Sequence, residues 1–193
     1  MIIGITGTIG SGKTAASDLF KKYGFKVINA DELYHKISKP NKIIYKKIIK
    51  EFGNKIINSD KSINHDKLKK IVFSDDKKLK KLNLITHPII NSEIKKLIKK
   101  FKNSKVIVDA PLLLESDSRK LVGKIVVVKC DDKARIRRLL KKGKLTKEQI
   151  NKITKFQMPM EKKLKFADFV IDNSKDLKNL ENQVKSIVNK LNQ

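Results

Sequence analysis

The chain has 193 residues, of which 39% are hydrophobic, and this is enough to form one domain with a core and a small insertion. No apolar run approaches the ~18 residues that a membrane helix needs, and the single cysteine, Cys130, excludes an internal disulfide. We therefore expect a cytoplasmic protein with no membrane partner and no signal peptide, because the first residues already read as a strand.

The formal net charge of +26 raises the question of a nucleic-acid partner. The lysines are spread along most predicted helices, whereas arginine occurs only at positions 119, 135, 137 and 138. Lysine, isoleucine and asparagine, which are all abundant here, share A/T-rich codons, so base composition alone explains the bias. We predict a solvated lysine surface with no specific nucleic-acid partner, although incidental, salt-sensitive binding is expected. A nucleotide-dependent nucleic-acid binder stays open as an alternative.

Predicted strands and helices alternate along the chain, beginning with an apolar strand at 2–5 and a helix at 13–23. The later predicted strands are short, apolar and rich in β-branched residues, and they lie at 26–28, 106–108, 124–128 and 169–171. Further helices are predicted near 32–38, 41–52, 65–73, 76–100, 131–142, 146–163 and 176–191. This alternation predicts an α/β fold in which helices flank a parallel sheet. The strand-free span between the second and third strands predicts an inserted helical subdomain.

A phosphate-binding motif joins the first strand to the first helix. Residues 7–14 read G-T-I-G-S-G-K-T and match the pattern G-x-x-x-x-G-K-[ST] at every fixed position. Such a loop points backbone N–H groups at phosphate oxygens, and its lysine reaches the β- and γ-phosphates while its hydroxyl residue binds Mg²⁺. The helix N-terminus adds a partial positive charge. The predicted ATP-binding residues are Gly10, Ser11, Gly12, Lys13, Thr14 and Ala15.

Two acidic residues follow predicted strands, at the edge of the sheet where ligands of open α/β folds bind. Asp31 comes after the second strand and Asp109 after the third. A carboxylate near the γ-phosphate can orient a hydroxyl, accept its proton or hold Mg²⁺. The alternatives are that Asp31 caps the helix beginning at Glu32 and that Asp109 is a turn residue before Pro111. Glu115 has a weaker claim to function and fits a structural role.

A basic segment at 133–152 lies between the last two strands. In small-molecule kinases such a segment closes over the nucleotide and brings cations to the charge that develops during transfer. Arg135, Arg138 and Lys142 are spaced three and four apart, so they share one helix face. A solvated face is the alternative, and we favour function for Arg138 and Lys142.

Together these motifs resemble the dephospho-CoA kinase family, which phosphorylates the ribose 3′-hydroxyl of dephospho-CoA with ATP. The resemblance runs nearly end to end. It is carried by I-G-I-T-G-T-I-G-S-G-K-T at 3–14, V-I-N-A-D at 27–31, I-T-H-P-I-I at 85–90, D-A-P-L-L-L-E at 109–115, Q-M-P-M-E-K-K-L at 157–164 and A-D-F-V-I-D-N at 167–173. The phosphate loop is shared by many kinases, whereas the D-x-P-L-L-x-E run together with the other motifs is much more specific.

The resemblance implies a P-loop NTPase-type core with an inserted helical substrate-binding subdomain and a lid. The implied bounds are 1–31, 104–135 and 164–193 for the nucleotide-binding core, 32–103 for the CoA-binding subdomain and 136–163 for the lid. The implied partners are ATP with Mg²⁺ and dephospho-CoA. A P-loop kinase acting on another nucleoside or nucleotide is the alternative that shares the same core.

The resemblance also implies roles for individual residues. Asp31 would be the base for the 3′-hydroxyl, while Lys13, Arg138 and Lys142 would supply catalytic cations. Thr14 and Asp109 would hold the metal, and Asn173 would lie near the nucleotide. The implied substrate-binding residues are Asp31, His65, His87, Asp109, Pro111 and Leu112, with a structural role equally open for His87.

Four positions depart from the family pattern, one of them Ile153, where some members have another lid arginine. Asn29 replaces the first acid of the family's D-A-D, so Asp31 is expected to carry the acid role alone. His65 stands where many members have arginine, which weakens that contact or makes it pH-dependent. Lys142 replaces a lid arginine, and an ammonium cannot supply the bidentate fork of a guanidinium.

Overall fold

The computed structural model describes residues 1–143 and 145–193. These residues form two compact units, one made of Met1–Asn29 with Lys96–Gln193 and the other of Ala30–Lys95. The second unit is inserted between two strands of the first. No helix in the described part of the chain is long and apolar enough to cross a membrane.

The first unit is built on a five-stranded sheet in the order β2-β3-β1-β4-β5, and every pairing in it is parallel. The strands are β1 (Ile2–Thr6), β2 (Lys26–Asn29), β3 (Val106–Asp109), β4 (Lys124–Lys129) and β5 (Phe169–Asp172). The central strands are apolar and buried because helices cover both faces of the sheet. This arrangement confirms the predicted parallel sheet flanked by helices.

Nine α-helices of the described residues follow strands singly or in consecutive groups along the chain. They are α1 (Lys13–Lys22), α2 (Ala30–Ile37), α3 (Ile43–Phe52), α4 (His65–Phe73), α5 (Asp76–Lys100), α6 (Asp132–Lys141), α7 (Lys147–Phe156), α8 (Met160–Leu164) and α9 (Leu177–Lys190). Short 3-10 helices occupy Asn54–Ile56 and Asp117–Leu121. In the first unit, α1 and α9 pack on the sheet through a core that includes Ile3, Phe20, Val126, Ile171 and Val184.

The second unit has its own hydrophobic core, formed where α3 and α4 pack together with residues of α2 and α5. Its buried members are Ile44, Ile48, Phe52, Ile56, Ile63, Leu68 and Val72. The spacing of the isoleucines in α3 follows the helical repeat, and Gly53 ends that helix at a φ of 76°. The helical insertion predicted from the sequence is therefore present.

One predicted helix is wrong in its extent. The sequence predicted a single helix at 146–163, but α7 ends at Phe156 and α8 begins at Met160. Pro159 has no N–H group to continue the helix, and proline also disfavours helical backbone at the residue before it. The helix has already ended two residues before Pro159, at Gln157, whose backbone is extended with φ of −89° and ψ of 149°. The break creates a junction whose side chains reach the phosphate loop.

Candidate functional site

The phosphate loop connects β1 to α1, and two of its glycines are required by the backbone. Gly10 and Gly12 have φ angles of 80° and 95°, in the left-handed region that favours glycine. A Cβ atom at Gly12 would lie 1.9 Å from the Asn173 side-chain nitrogen, and one at Gly10 would lie 2.7 Å from the Leu139 side chain. The loop can therefore keep this path only with glycine at both positions.

The Lys13 side chain is buried and contacts the preceding residues of the phosphate loop. Its Nζ donates hydrogen bonds of 3.2 Å to the carbonyl oxygens of Gly7 and Thr8. The Ser11 N–H donates to the Thr8 carbonyl at 3.1 Å, which closes the turn. Thr14, in contrast, is exposed at the start of α1. The loop thus presents a positive side chain, a hydroxyl group and a helix N-terminus in one place, which is the chemistry of an anion site.

Asn173, which directly follows β5, contacts the phosphate loop, and Arg138 of α6 holds Asn173 in turn. The Asn173 side-chain amide donates to the Ser11 carbonyl at 2.9 Å, in a buried contact. Arg138 in α6 donates from Nη1 to the Asn173 carbonyl at 2.9 Å and from Nη2 to the Lys175 carbonyl at 3.5 Å. Arg138 Nη1 also donates to Cys130 Sγ at 3.4 Å, so the hydrogen bonds of these two side chains are with backbone carbonyls and one thiol. Their predicted contacts with nucleotide and phosphate stay predictions.

Asp109 lies next to the beginning of α1. It is the last residue of β3, buried, and its register partners are Ile5 on one side and Asn29 on the other. The Ser17 hydroxyl donates to Asp109 Oδ2 at 3.0 Å. Since Ser17 is one turn after Thr14 in α1, the Asp109 contact lies about one helical turn from Thr14, the other predicted metal ligand. Asp109 is thus a strand residue, and the turn alternative is wrong.

A buried ion pair that the sequence did not reveal links the segment after β3 to α8. Lys163 is 0% exposed, and its Nζ lies 2.8 Å from Glu115 Oε1, 3.2 Å from the Pro111 carbonyl and 3.4 Å from Thr6 Oγ1. Glu115 Oε1 also accepts the Met158 N–H at 2.7 Å. The predicted substrate residue Pro111 therefore has its carbonyl fixed by this cluster. Its neighbour Leu112 is half-buried.

Arg135 and Lys142 differ in burial, although their spacing places them on one helix face. Arg135 is buried and donates to the carbonyl of Ile9 in the phosphate loop at 3.1 Å. The alternative that Arg135 belongs to a solvated helix face is therefore wrong. Lys142 is exposed at the carboxyl end of α6. Its predicted role as a lid cation stays a prediction.

In the second unit, the predicted residues Asp31, His65 and His87 lie on three different helices. Asp31 is exposed in the first turn of α2, which begins at Ala30. The predicted N-cap alternative is therefore wrong for Asp31, because it lies inside the helix, where a negative charge near the N-terminus is favourable. His87 is half-buried in α5, next to Pro88, which lies within that helix. The roles predicted for these residues stay predictions.

His65 belongs to an aromatic cluster that the sequence did not reveal. Its ring centroid lies 4.7 Å from that of His35 and 5.7 Å from that of Tyr34, both in edge-on arrangements. Burial lowers the pKa of His65, and the neighbouring His35 lowers that pKa further. Burial also raises the pKa of Tyr34 to about 12. His65 therefore favours its neutral form, unlike the arginine that many family members have there.

The described residues contain no group of three or more His, Cys, Asp or Glu side chains arranged to hold a metal ion. The Thr14 hydroxyl and the Asp109 carboxylate are hard oxygen ligands, which suit Mg²⁺. Mg²⁺ commonly binds through one or two protein oxygens together with nucleotide phosphates and water. These residues fit an ion that arrives with ATP and is held partly by its phosphates.

Comparison with known proteins agrees with this geometry. The family model described as CoaE, dephospho-CoA kinase, matches residues 1–179 of the chain. A curated dephospho-CoA kinase from Fusobacterium nucleatum is 41% identical over 180 residues, covering 93% of each chain. Another from Carboxydothermus hydrogenoformans is 38% identical over 192 residues, covering 98% of this chain and 93% of its own length.

A solved structure described as a dephospho-CoA kinase from Campylobacter jejuni superposes with a TM-score of 0.70. It is 28% identical in sequence, and the superposition covers 98% of this chain and 96% of the other. The match therefore extends over both units of the fold. The resemblance drawn from the sequence motifs is confirmed.

Proposed function

Because the chain belongs to the dephospho-CoA kinase family, we propose that it transfers the γ-phosphoryl group of ATP to the ribose 3′-hydroxyl of dephospho-CoA. This is the last step of coenzyme A biosynthesis. The observation that carries the proposal is the phosphate loop with Lys13 buried against it and Asp109 fixed by Ser17 beside α1. Since both substrates are small soluble metabolites, we place the enzyme in the cytoplasm.

The phosphate loop binds and orients the donor. The backbone N–H groups of residues 10–15 and the Lys13 ammonium offset the charge on the β- and γ-phosphates. Thr14 and Asp109 would hold Mg²⁺, which supplies further positive charge when it is bound with the nucleotide. The Ser17 hydroxyl donates to Asp109 Oδ2 at 3.0 Å, which holds the Asp109 carboxylate against α1.

Asp31 is the proposed base. Its carboxylate is exposed, and it follows two residues after Asn29, which is the strand partner of Asp109. An exposed carboxylate at this point of the chain can accept the hydrogen bond of a 3′-hydroxyl and then take its proton as the phosphoryl group transfers. Asn29 cannot take that proton, so Asp31 carries the role by itself.

Arg138 and Lys142 are the proposed cations of the lid. Arg138 lies in α6 and Lys142 directly follows it, and a Cβ atom at Gly10 would lie 2.7 Å from the Leu139 side chain of that helix. This packing supports a location of the carboxyl half of α6 near the bound phosphates. An ammonium at Lys142 offers one mobile charge, so we expect turnover to survive but to fall below that of an arginine variant, Lys142→Arg.

The proposed function is tested by ADP release from ATP and Mg²⁺ with dephospho-CoA, beside adenosine, AMP, CMP and shikimate as acceptors. Turnover confined to dephospho-CoA is expected. Turnover with a different acceptor would instead support another P-loop kinase. Salt-sensitive nucleic-acid binding with a structural preference and without phosphoryl transfer would support a nucleotide-dependent binder.

A further inference from the structure

The peptide groups of Ile9 in the phosphate loop are held by side chains on both sides. The Ile9 N–H donates to Gln157 Oε1 at 2.8 Å, and the Ile9 carbonyl accepts from Arg135 Nη1 at 3.1 Å. Gln157 lies at the junction between α7 and α8, and Arg135 lies in α6. Two side chains from the segment between β4 and β5 therefore fix one residue of the loop.

Both of these side chains are buried. Arg135 is 3% exposed and Gln157 is 7% exposed. The Arg135 guanidinium is held by Asp132 at 2.8 Å and by the Thr154 hydroxyl at 3.2 Å, in addition to the Ile9 carbonyl. A buried guanidinium needs such partners because it has lost its water. Its orientation is therefore fixed, and so is the carbonyl to which it donates.

The junction that carries Gln157 is itself anchored to the β3 exit. The N–H of the next residue, Met158, donates to Glu115 Oε1 at 2.7 Å, and Lys163 pairs with the same oxygen at 2.8 Å. Helix α6 is held against the loop by Leu139, which packs on Gly10. Gln157 and Arg135 thus reach Ile9 from two different segments, the α7–α8 junction and α6, and Thr154 of α7 links the two because its hydroxyl accepts from Arg135.

We propose that Arg135 and Gln157 are positioning residues that orient the phosphate loop for nucleotide binding. The Ile9 carbonyl is part of the peptide group whose N–H belongs to Gly10, so holding that carbonyl fixes the direction of the Gly10 N–H group. Gly10 is the first residue of the predicted phosphate-binding set and is also permissive in backbone conformation. Without the two side chains, this part of the loop would sample orientations that miss the phosphates. This inference rests on the proposed function only where its test measures KM values, since ADP binding can be measured without turnover.

The test uses the full chain and the variants Gln157→Met, Arg135→Met and Arg135→Lys. Arg137→Met is the matched control, because Arg137 is an exposed residue of the same helix. Calorimetry with ADP and Mg²⁺ gives the nucleotide Kd, and steady-state kinetics give KM for ATP and for dephospho-CoA separately. Melting temperatures are measured in parallel.

We expect Gln157→Met and Arg135→Met each to raise the ADP Kd and the ATP KM about tenfold, the effect of losing a buried hydrogen bond with a fixed partner. The KM for dephospho-CoA should change less than about twofold, since the lost bonds act on the nucleotide loop. Arg135→Lys should restore part of the affinity, because an ammonium still donates but cannot hold the three partners at once. Arg137→Met should match the wild type.

A lower melting temperature with an unchanged ADP Kd in Gln157→Met and Arg135→Met would overturn the proposal and leave both residues with a structural role. Equal increases in KM for both substrates would overturn it as well. If the wild type binds ADP but does not phosphorylate dephospho-CoA, the proposed function fails, and the ADP Kd of the variants still decides whether the loop is positioned as proposed.

Discussion

Replacing Lys163 by methionine should destabilise the protein strongly. Lys163 is 0% exposed, and its Nζ has three oxygen partners at 2.8 to 3.4 Å. Methionine retains most of the apolar volume but leaves the Glu115 carboxylate without its cation. The Met158 N–H still donates to Glu115 Oε1, whereas Oε2 is buried without a hydrogen-bond partner among the described residues.

The expected magnitude follows from this geometry. Removing one partner of a buried ion pair costs about 3–5 kcal/mol. The Glu115 side chain is 18% exposed and keeps one backbone donor, so we expect the lower end, about 3 kcal/mol. For a chain of this size, about 2–4 °C of Tm corresponds to each kcal/mol, which predicts a decrease of about 6–12 °C.

A double-mutant cycle measures the pair directly. Urea unfolding and thermal melts are recorded for the wild type, Lys163→Met, Glu115→Met and the double variant, with Lys162→Met as an exposed control in the same helix. The double variant should be more stable than Lys163→Met, because it carries no unpaired buried charge. The reasoning is refuted if Lys163→Met and Lys162→Met are equally stable, or if the two single effects simply add.

Three further predictions address the loop, the base and the pH response. Gly12→Ala should weaken ADP binding at least tenfold in calorimetry, since the added Cβ would lie 1.9 Å from the Asn173 amide at a φ of 95°; unchanged affinity would contradict the observed loop path. Asp31→Asn should reduce kcat about 10²- to 10⁴-fold with little change in the ADP Kd, and near-wild-type turnover would remove Asp31 from the role of base. The lowered pKa of His65 means that the unfolded chain binds its proton more tightly than the folded protein. The stability contributed by His65 is therefore present above about pH 6.5 and is lost as the pH falls through its depressed pKa. The His65→Gln variant should accordingly show a flatter dependence of Tm on pH between about pH 7 and 5. An unchanged slope would argue against a lowered pKa of His65 in the folded protein.

The sequence predicted the core of the fold well because the signals for it are local. The phosphate loop is one contiguous motif, and the five strands are short apolar runs between helices of clear periodicity. The parallel arrangement could be inferred because helices follow the strands, except that β3 leads to β4 through a short 3-10 helix. Asp109 could be identified for the same reason, since strand ends in such sheets meet at one edge.

The supports of the loop could not be predicted, because they depend on long-range contacts of ordinary residues. Arg135 and Gln157 reach Ile9 across 126 and 148 positions of sequence, and Lys163 reaches Glu115 across 48. In a chain with so many lysines, nothing local separates the buried Lys163 from the exposed Lys162. The break at Pro159 was the one available signal, and recognising it would have placed Gln157 outside a helix.

The most direct test of the account is the site at which the transferred phosphate is found. The purified protein is incubated with ATP labelled in the γ-phosphate, Mg²⁺ and dephospho-CoA, and the labelled product is analysed by mass spectrometry and by its use in a CoA-dependent enzyme reaction. The account predicts one label on the ribose 3′-oxygen and a product that serves as CoA. A label elsewhere on the acceptor, or release of the phosphate to water alone, would contradict it.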